Sequence, residues 1–413
     1  MANRPRSGGR AAPPAATRSP IVVAWAGGLG YQKRAMNKAM HTALLPAGLR
    51  DALPEEAEME AAAVHCLMSA FERQGYRRVK PPLLEFETGL LTGPGRQLSG
   101  QVFRLMDPIS QKMMGLRADI TPQIARLAST RLASAPRPLR LCYSGQVLRV
   151  HGDQLRPERQ FTQAGIEIFG ADAVAAEAEI VLLVVEALRA AGLKGITVDL
   201  TVPALAPMVL TGQGYDEDTA QAAREALDAK DAGELRACIG EDDTVFGLLD
   251  AVGEAGGAIP KLRALGISGQ AGLLVDRLSE LVAEITGADP DLSVTIDPGE
   301  FRGFEYQSGI AFAVFARGVR GEIARGGRYR SESGETAVGA TVYLDSVLRA
   351  LPRQVRPARI YLPAGTAREA SRTLKADGWT VVHGLEKAED VPAEARRQGC
   401  SHVFRDGAAV ALD

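Results

Sequence analysis

Apolar residues recur at regular intervals along most of the chain, and the interval predicts whether a segment is a helix or a strand. Between Pro54 and Gln74 they recur three or four positions apart, which predicts a helix that begins at a proline and ends before Gly75. Strands are predicted at 102–106, 112–116, 140–149, 160–169 and 196–202, with helices at 122–134 and 175–191.

The second half of the sequence changes from a helical region to a run of strands. Residues 204–288 have helical periodicity throughout, broken by Gly and Asp. Strands are predicted at 293–297, 300–306, 309–316, 320–324 and 337–342, and a helix at 343–351. Runs of strands interrupted by helices are typical of an α+β fold on an antiparallel sheet. The sequence therefore predicts one α+β domain over residues 44–352, with a helical insertion at about 204–288.

Both ends of the chain differ from this domain. The first fifty residues contain eight Lys and Arg residues and no acidic residue, so residues 1–43 are predicted to be a disordered or non-native extension. A Pro-containing linker at 353–357 precedes a β-α-β-α-β pattern. This pattern predicts a small C-terminal α/β domain over residues 353–413.

Composition argues against several functional classes. The net charge of −2 does not fit a dedicated nucleic-acid binder, because phosphate contacts require a basic surplus. No apolar run reaches the roughly 18 residues that a membrane helix needs. The four cysteines and five histidines lack the spacing of a metal site or a disulfide framework. The sequence therefore predicts a cytoplasmic protein that uses no metal, no cofactor and no membrane.

Polar side chains alternate along the strand predicted at 160–169. Gln163 and Glu167 fall on one face of this strand, and the residues between them are apolar or glycine. Arg149, from the neighbouring strand, can reach the same face. A cavity with a cation, a carboxylate and an amide suits a small zwitterion, because Arg pairs with carboxylates and acids such as Asp119 accept N–H donors. The alternative is a solvated sheet face whose charges pair with one another.

The segments 117–126, 144–149 and 159–170 resemble the second class-defining motif of class II aminoacyl-tRNA synthetases, in its histidyl version. The resemblance implies that Arg149 holds a substrate carboxylate. It places Asp119 and Thr121 beside the α-amino group of the amino acid. It also places Gln163 and Glu167 against the amino group and the imidazole.

A helix and a strand over residues 55–85 resemble the first class motif, which ends in a proline at a dimer interface. Pro81 or Pro82 is the candidate for that proline, and the resemblance implies a homodimer through the class II core. In the alternative interpretation these prolines only bend an edge strand.

Two further segments resemble the histidine-binding peptides of the histidyl branch. In residues 301–309, Arg302 stands where the family places an Arg that acts on the histidine carboxylate. The family continues with two adjacent tyrosines, whereas this chain has Tyr306 followed by Gln307. Residues 324–329 resemble the companion peptide, a Gly-Gly-Arg-Tyr turn in which Tyr329 faces the ligand.

The segment 337–348 resembles the last class motif, a glycine-rich strand followed by a helix that carries an Arg beside ATP. Here that helix position is Ser346, so a charge-assisted contact with the triphosphate is missing and adenylate formation should be impaired. The chain also continues past this domain for fewer residues than an anticodon-binding domain needs. Binding of tRNA is therefore not expected.

Together these motifs resemble the family of ATP phosphoribosyltransferase regulatory subunits, which are synthetase-like proteins of histidine biosynthesis. The resemblance implies a protein with no catalytic residue of its own. Its partner would be a short catalytic subunit, with four copies of each, and histidine would be the feedback ligand. The alternatives are an active histidyl-tRNA synthetase with a shortened C-terminus, and a non-enzymatic scaffold with a vestigial pocket.

Overall fold

The computed structural model describes residues 44–152, 156–301, 307–331, 333–352 and 358–412. The helices are α1 (Pro54–Arg73), α2 (Glu87–Leu90), α3 (Thr121–Ser129), α4 (Val174–Ala190), α5 (Leu205–Gly212), α6 (Glu217–Ala229), α7 (Ala232–Ile239), α8 (Asp243–Asp250), α9 (Ala255–Ala264), α10 (Gly269–Ala288), α11 (Leu344–Ala350), α12 (Arg368–Ala376) and α13 (Val391–Arg397), with a 3-10 helix at Gly93–Gln101. The predicted N-terminal extension 1–43 and the linker 353–357 lie outside the described residues.

The strands form three separate sheets. They are β1 (Arg77–Arg78), β2 (Leu84–Phe86), β3 (Phe103–Met106), β4 (Met113–Leu116), β5 (Leu139–Leu148), β6 (Gln160–Phe169), β7 (Ile196–Thr201), β8 (Gly253–Glu254), β9 (Ser293–Ile296), β10 (Gln307–Ala316), β11 (Ala324–Arg330), β12 (Thr336–Tyr343), β13 (Arg359–Leu362), β14 (Thr380–His383), β15 (His402–Arg405) and β16 (Ala408–Ala411). The predicted strands at 102–106, 112–116 and 196–202 are confirmed within a residue or two.

The largest sheet has nine strands in the order β1-β5-β6-β12-β11-β10-β7-β9-β8. Its central strands are antiparallel, and only the β1–β5 and β7–β9 pairs are parallel. The antiparallel pair predicted at 140–149 and 160–169 is confirmed as β5 and β6. The α+β fold class on an antiparallel sheet is therefore confirmed, and the helices that flank this sheet follow the predicted pattern.

The two faces of this sheet have different environments. One face carries buried apolar residues such as Ile166, Val198, Val314 and Val342, which belong to one core with residues of α1, α4 and α10. The other face joins a smaller core around Ile124 of α3 and carries the polar residues of β6. Because successive side chains of a strand point to opposite faces, the polar residues are collected on the second face.

Residues 205–288 form the six helices α5 to α10, together with the two-residue strand β8. Their apolar faces extend the large core past the edge of the sheet. The C-terminal region forms its own four-stranded sheet in the order β14-β13-β15-β16, in which β13 is parallel to both neighbours. No helix in the described ranges is long and apolar enough to cross a membrane.

Two predicted elements around residue 325 are wrong. The segment 320–323 is not a strand but part of the turn between β10 and β11, in which Gly318 and Gly321 adopt positive φ angles of 89° and 81°. The Gly-Gly-Arg-Tyr turn is instead the middle of strand β11. Gly327 has a φ of 154°, and a side chain there would collide with the nearby backbone of β10. Glycine is therefore the residue that fits at this position of the strand. The helix predicted at 122–134 is also shorter, since α3 ends at Ser129.

Candidate functional site

Strand β6 presents Gln163 and Glu167 on one face, as the period-two pattern predicts. Both side chains are almost completely buried, with exposed fractions of 0% and 1%. Their neighbours Ala164 and Ile166 point into the large core on the other side. The alternative of a solvated sheet face is therefore wrong for these two residues. Buried polar groups need hydrogen-bond partners, and the partners define the site.

The outer part of the site contains an acid and a cation side by side. The Gln163 amide nitrogen donates to Asp119 Oδ2 at 3.0 Å, and the backbone N–H of Thr121 donates to Asp119 Oδ1 at 2.8 Å. The Arg149 guanidinium lies 4.0 Å from Asp119 Oδ2 and 5.1 Å from the centre of the Phe161 ring. A carboxylate next to a guanidinium can bind the ammonium and the carboxylate of one amino acid.

The deep part of the site is built around the Glu167 carboxylate. Tyr329 donates its hydroxyl to Glu167 Oε2 at 2.9 Å, and Thr121 donates to Oε1 at 3.2 Å. The Tyr143 hydroxyl donates to the same Oε1 at 3.4 Å. Tyr143 also lies 3.0 Å from the hydroxyls of both Thr121 and Thr341. Three strands and the start of α3 thus converge on one carboxylate.

Burial, with a smaller contribution from the nearby Asp119 charge, raises the pKa of Glu167 to about 8. The hydrogen bonds from Tyr329, Thr121 and Tyr143 oppose this increase. A carboxyl with such a pKa can exchange a proton near neutral pH. Perturbed carboxyls of this kind are frequent in ligand-binding and catalytic sites.

Small residues form the floor of the site. A Cβ at Gly339 would overlap Glu167 Oε2 and would come within 2.7 Å of the Ile166 carbonyl oxygen. A Cβ at Gly165 would overlap the Tyr143 ring. These glycines let the Tyr143 side chain cross β6 and let Glu167 lie flat against β12.

Gln307 lies at the first position of β10, opposite Tyr329 of β11. Cross-strand partners share a face of the sheet, so Gln307 is on the same side as the polar site. Its side chain is buried, and among the described residues its carboxamide oxygen has no hydrogen-bond partner. This oxygen is free to accept a bond from a ligand. Arg302 and Tyr306, the other two predicted residues of this segment, lie outside the described residues.

The structure therefore brings six predicted residues into one connected cluster and places Gln307 on the same sheet face. The six are Asp119, Thr121, Arg149, Gln163, Glu167 and Tyr329. The sequence interpretation missed Tyr143, Thr341 and Gly339. Their contacts join positions 22 to 198 residues apart, so periodicity within one segment could not find them. Within the described part of the chain, no group of three His, Cys, Asp or Glu residues is arranged to hold a metal ion.

Helix α11 follows β12 and contains Ser346. The family resemblance implies that the related synthetases carry an Arg beside ATP at this position. Ser346 is buried there and accepts a hydrogen bond from Arg349 Nη2 at 3.0 Å. Arg349 also pairs with Asp345 at 3.2 Å and with Glu158 at 3.3 Å. Its charge is therefore balanced by two carboxylates. A triphosphate placed here would have to compete with Asp345 and Glu158 for the Arg349 guanidinium.

Comparisons with known proteins show which family the chain resembles. Residues 48–347 match the family model described as histidyl-tRNA synthetase. The chain is 52% identical to the ATP phosphoribosyltransferase regulatory subunit of Paramagnetospirillum magneticum, over 89% of this chain and 97% of that protein. It is 53% identical to the protein of the same name from Rhodospirillum centenum, over 88% of this chain and 95% of the relative.

A solved structure from Bacillus halodurans has the same fold. It is described as an ATP phosphoribosyltransferase regulatory subunit/histidyl-tRNA synthetase, and it superposes with a TM-score of 0.74 at 24% identity. The match covers 86% of this chain and 96% of that chain. The fold class predicted from the sequence is thereby confirmed.

Proposed function

Because the chain belongs to the family of ATP phosphoribosyltransferase regulatory subunits, we propose that it serves histidine biosynthesis as the non-catalytic partner of a short catalytic subunit. In this role it would bind histidine in the cluster around Glu167 and transmit that binding to the catalytic partner. The observation that carries the proposal is the buried polar cluster around Glu167, together with a helix α11 whose only described Arg is engaged by carboxylates.

The polarity of the cluster supports histidine as the ligand. Asp119 and Arg149 offer opposite charges for the ammonium and the carboxylate of an amino acid. Glu167 and Gln307 offer acceptors to a side chain with N–H groups. A protonated imidazole has two N–H groups, so it can donate to both acceptors. Arg302 and Tyr306 would complete the site as the family resemblance implies.

The loss of aminoacylation is part of the same proposal. Adenylate formation needs cations that stabilise charge on the transferred phosphate. Ser346 supplies none, and Arg349 already pairs with Asp345 and Glu158. The net charge of −2 gives no general attraction to tRNA. ATP–pyrophosphate exchange in the presence of histidine is therefore expected to be absent.

Exposed apolar residues on the small sheet support a homodimer through the class II core. Leu84, Phe86 and Leu105 lie on one face of the three-stranded sheet β2-β4-β3, and Met106 and Met113 lie on its other face. Leu83, which precedes β2, and Ile109, in the turn between β3 and β4, are exposed as well. Exposed apolar residues grouped in one region of a soluble protein are typical of interaction sites. Pro81 and Pro82 lead directly into this sheet, which agrees with the dimer interpretation of the first motif. The complex would then contain this dimer and copies of the catalytic subunit, four of each in the assembly that the family resemblance implies.

A reconstitution assay tests the proposal. The chain would be mixed with the short catalytic subunit from the same genome, and phosphoribosyl transfer to ATP would be followed while histidine is titrated. We expect activity to rise on mixing, the two chains to co-elute, and histidine to inhibit the mixture. ATP–pyrophosphate exchange activity without co-elution of the two chains would favour a histidyl-tRNA synthetase. Absence of co-elution, of exchange and of histidine binding would favour a scaffold.

Asp119→Asn is expected to weaken histidine binding by about tenfold to a hundredfold, because a charge-assisted hydrogen bond contributes about 1.5–3 kcal/mol. The amide keeps an acceptor for the Thr121 N–H and so preserves the start of α3. Calorimetry of histidine binding measures the effect. Asp107→Asn is the matched control, since Asp107 accepts two backbone N–H bonds in the exposed β3–β4 turn. Equal affinities of the two variants would contradict the assignment of Asp119.

A further inference from the structure

The Glu167 carboxyl is buried, and in the part of the chain that the structure describes no cation balances its charge. Among the described residues, no Lys, Arg or His lies within ion-pair distance of it, and its partners are the hydroxyls of Tyr329, Thr121 and Tyr143. A buried carboxylate without a cation is costly, so the neutral form is favoured. The site without ligand therefore holds a proton on Glu167 at neutral pH.

The hydroxyls around Glu167 can adapt to either form of the carboxyl. The contacts Thr121–Tyr143 and Tyr143–Thr341 are both 3.0 Å, and in each of them either oxygen can be the donor. When the carboxyl is neutral, its O–H can donate to a hydroxyl that then passes its own proton along the network. When the carboxyl is ionised, the same hydroxyls turn and donate to it. Both forms thus keep their hydrogen bonds.

We propose that Glu167 hands its proton to the imidazole ring when histidine binds, so that the site senses histidine without exchanging protons with solvent near neutral pH. The O–H bond of the carboxyl breaks, an N–H bond forms on the ring, and the bound state is an imidazolium facing a carboxylate. The attraction within this ion pair, together with the hydroxyl donors to the carboxylate, offsets the difference between the separate pKa values of the two groups. Gln307 accepts the second ring N–H with its carboxamide oxygen, which has no hydrogen-bond partner among the described residues. The inference rests on the proposed function, because it requires that histidine is the ligand.

This proton transfer from Glu167 to the imidazole predicts how the affinity for histidine depends on pH. The pKa of Glu167 is about 8, and that of a free imidazole is about 6.5. Between these values the ring arrives neutral and the carboxyl arrives protonated, so no net proton is needed. Above about pH 8 the complex must take up a proton, and affinity falls about tenfold per pH unit. Below about pH 6.5 it must release one, and affinity falls again.

Other titratable groups near Glu167 do not replace this effect. Tyr143 of β5 and Tyr329 of β11 are the phenols that face it, and burial raises the pKa of Tyr143 well above its ordinary value. Asp119 precedes α3, and its charge lies next to that of Arg149. The facing residues of β12 and β10, which include Gly339, Thr341 and Gln307, carry no charge.

Calorimetry in pairs of buffers with different ionisation enthalpies measures the number of protons taken up on histidine binding. We expect a number near zero at pH 7.2 for the full chain. At pH 9 the wild type should take up about one proton more than Glu167→Gln, which cannot carry the carboxyl proton. The difference between the two proteins removes the contribution of the ligand's own amino group, because that group is common to both.

The outcomes separate the inference from the function on which it rests. If wild type and Glu167→Gln bind histidine with equal proton uptake, the proposed proton transfer from Glu167 is contradicted and the regulatory function stays intact. No histidine binding at any pH would overturn both. If Glu167→Gln does not fold, Tyr329→Phe serves instead. It removes a donor that lowers the pKa of Glu167, so the decline in affinity should begin at a higher pH than in the wild type. An unchanged profile would contradict the inference.

Discussion

Gly339→Ala is expected to weaken histidine binding by at least about a hundredfold and to lower the free energy of unfolding by about 1–3 kcal/mol. The added Cβ would overlap Glu167 Oε2 and would press on the Ile166 carbonyl oxygen. Neither can move away freely, since Glu167 is held by Tyr329 and Thr121 and Ile166 belongs to the β6–β12 ladder. The methyl group therefore displaces the carboxylate at the centre of the site.

Calorimetry with histidine and urea denaturation measure the two effects of Gly339→Ala. Gly212→Ala is the matched control, because Gly212 ends helix α5 and a Cβ there would meet nothing within 4 Å. The control is expected to bind histidine normally and to gain up to about 1 kcal/mol from higher helix propensity. Wild-type affinity and an unchanged midpoint in Gly339→Ala would show that Glu167 is not held as described.

Local patterns predict the parts of this site that lie within one segment. Alternation along β6 places Gln163 and Glu167 on one face, and the helix Pro54–Arg73 follows from its apolar spacing and its proline. In both cases the residues that decide the structure lie within a few positions of one another. The physical information is therefore present in a short window of sequence.

The strand β11 shows why other parts could not be predicted. Two adjacent glycines ordinarily indicate a turn. Here Gly326 and Gly327 lie inside a sheet, because Phe312 packs over one and the backbone of Ala311 approaches the other. Both neighbours come from β10, and the close approach exists only after the strands have paired. Long-range packing therefore decides the structure at these two positions. A local sequence pattern cannot predict it, because the packing partners lie on another strand.

Glu177→Ala is expected to lower the free energy of unfolding by about 3–5 kcal/mol, the usual cost of removing one partner from a buried ion pair. Glu177 lies in the strongly apolar helix α4, and its side chain is 3% exposed. It accepts a hydrogen bond from Arg328 Nε at 2.8 Å and pairs with Arg277 Nη2 at 2.7 Å. Without it, the buried Arg328 would keep only the exposed Asp172 and backbone carbonyls as partners.

The loss of the Glu177 carboxylate is expected to affect two distant elements of the fold. Arg328 stands next to Tyr329 on β11, and Arg277 belongs to helix α10. One carboxylate therefore connects β11, which carries Tyr329 of the proposed ligand site, to a helix of the insertion. Urea denaturation measures the stability, and Glu369→Ala is the control. Glu369 and Arg372 form an exposed pair, whose loss should cost no more than about 1 kcal/mol.

A double-mutant cycle with Arg328→Met distinguishes charge pairing from packing as the origin of the effect. If the cost of Glu177→Ala comes from an uncompensated guanidinium, replacing that guanidinium by an apolar side chain removes most of the penalty. The double variant should then be more stable than the sum of the single effects predicts, by about 1–3 kcal/mol. Additive effects would mean that each side chain stabilises the fold through its own packing. Strand β11 would then be held to the helical insertion by apolar contacts rather than by Glu177.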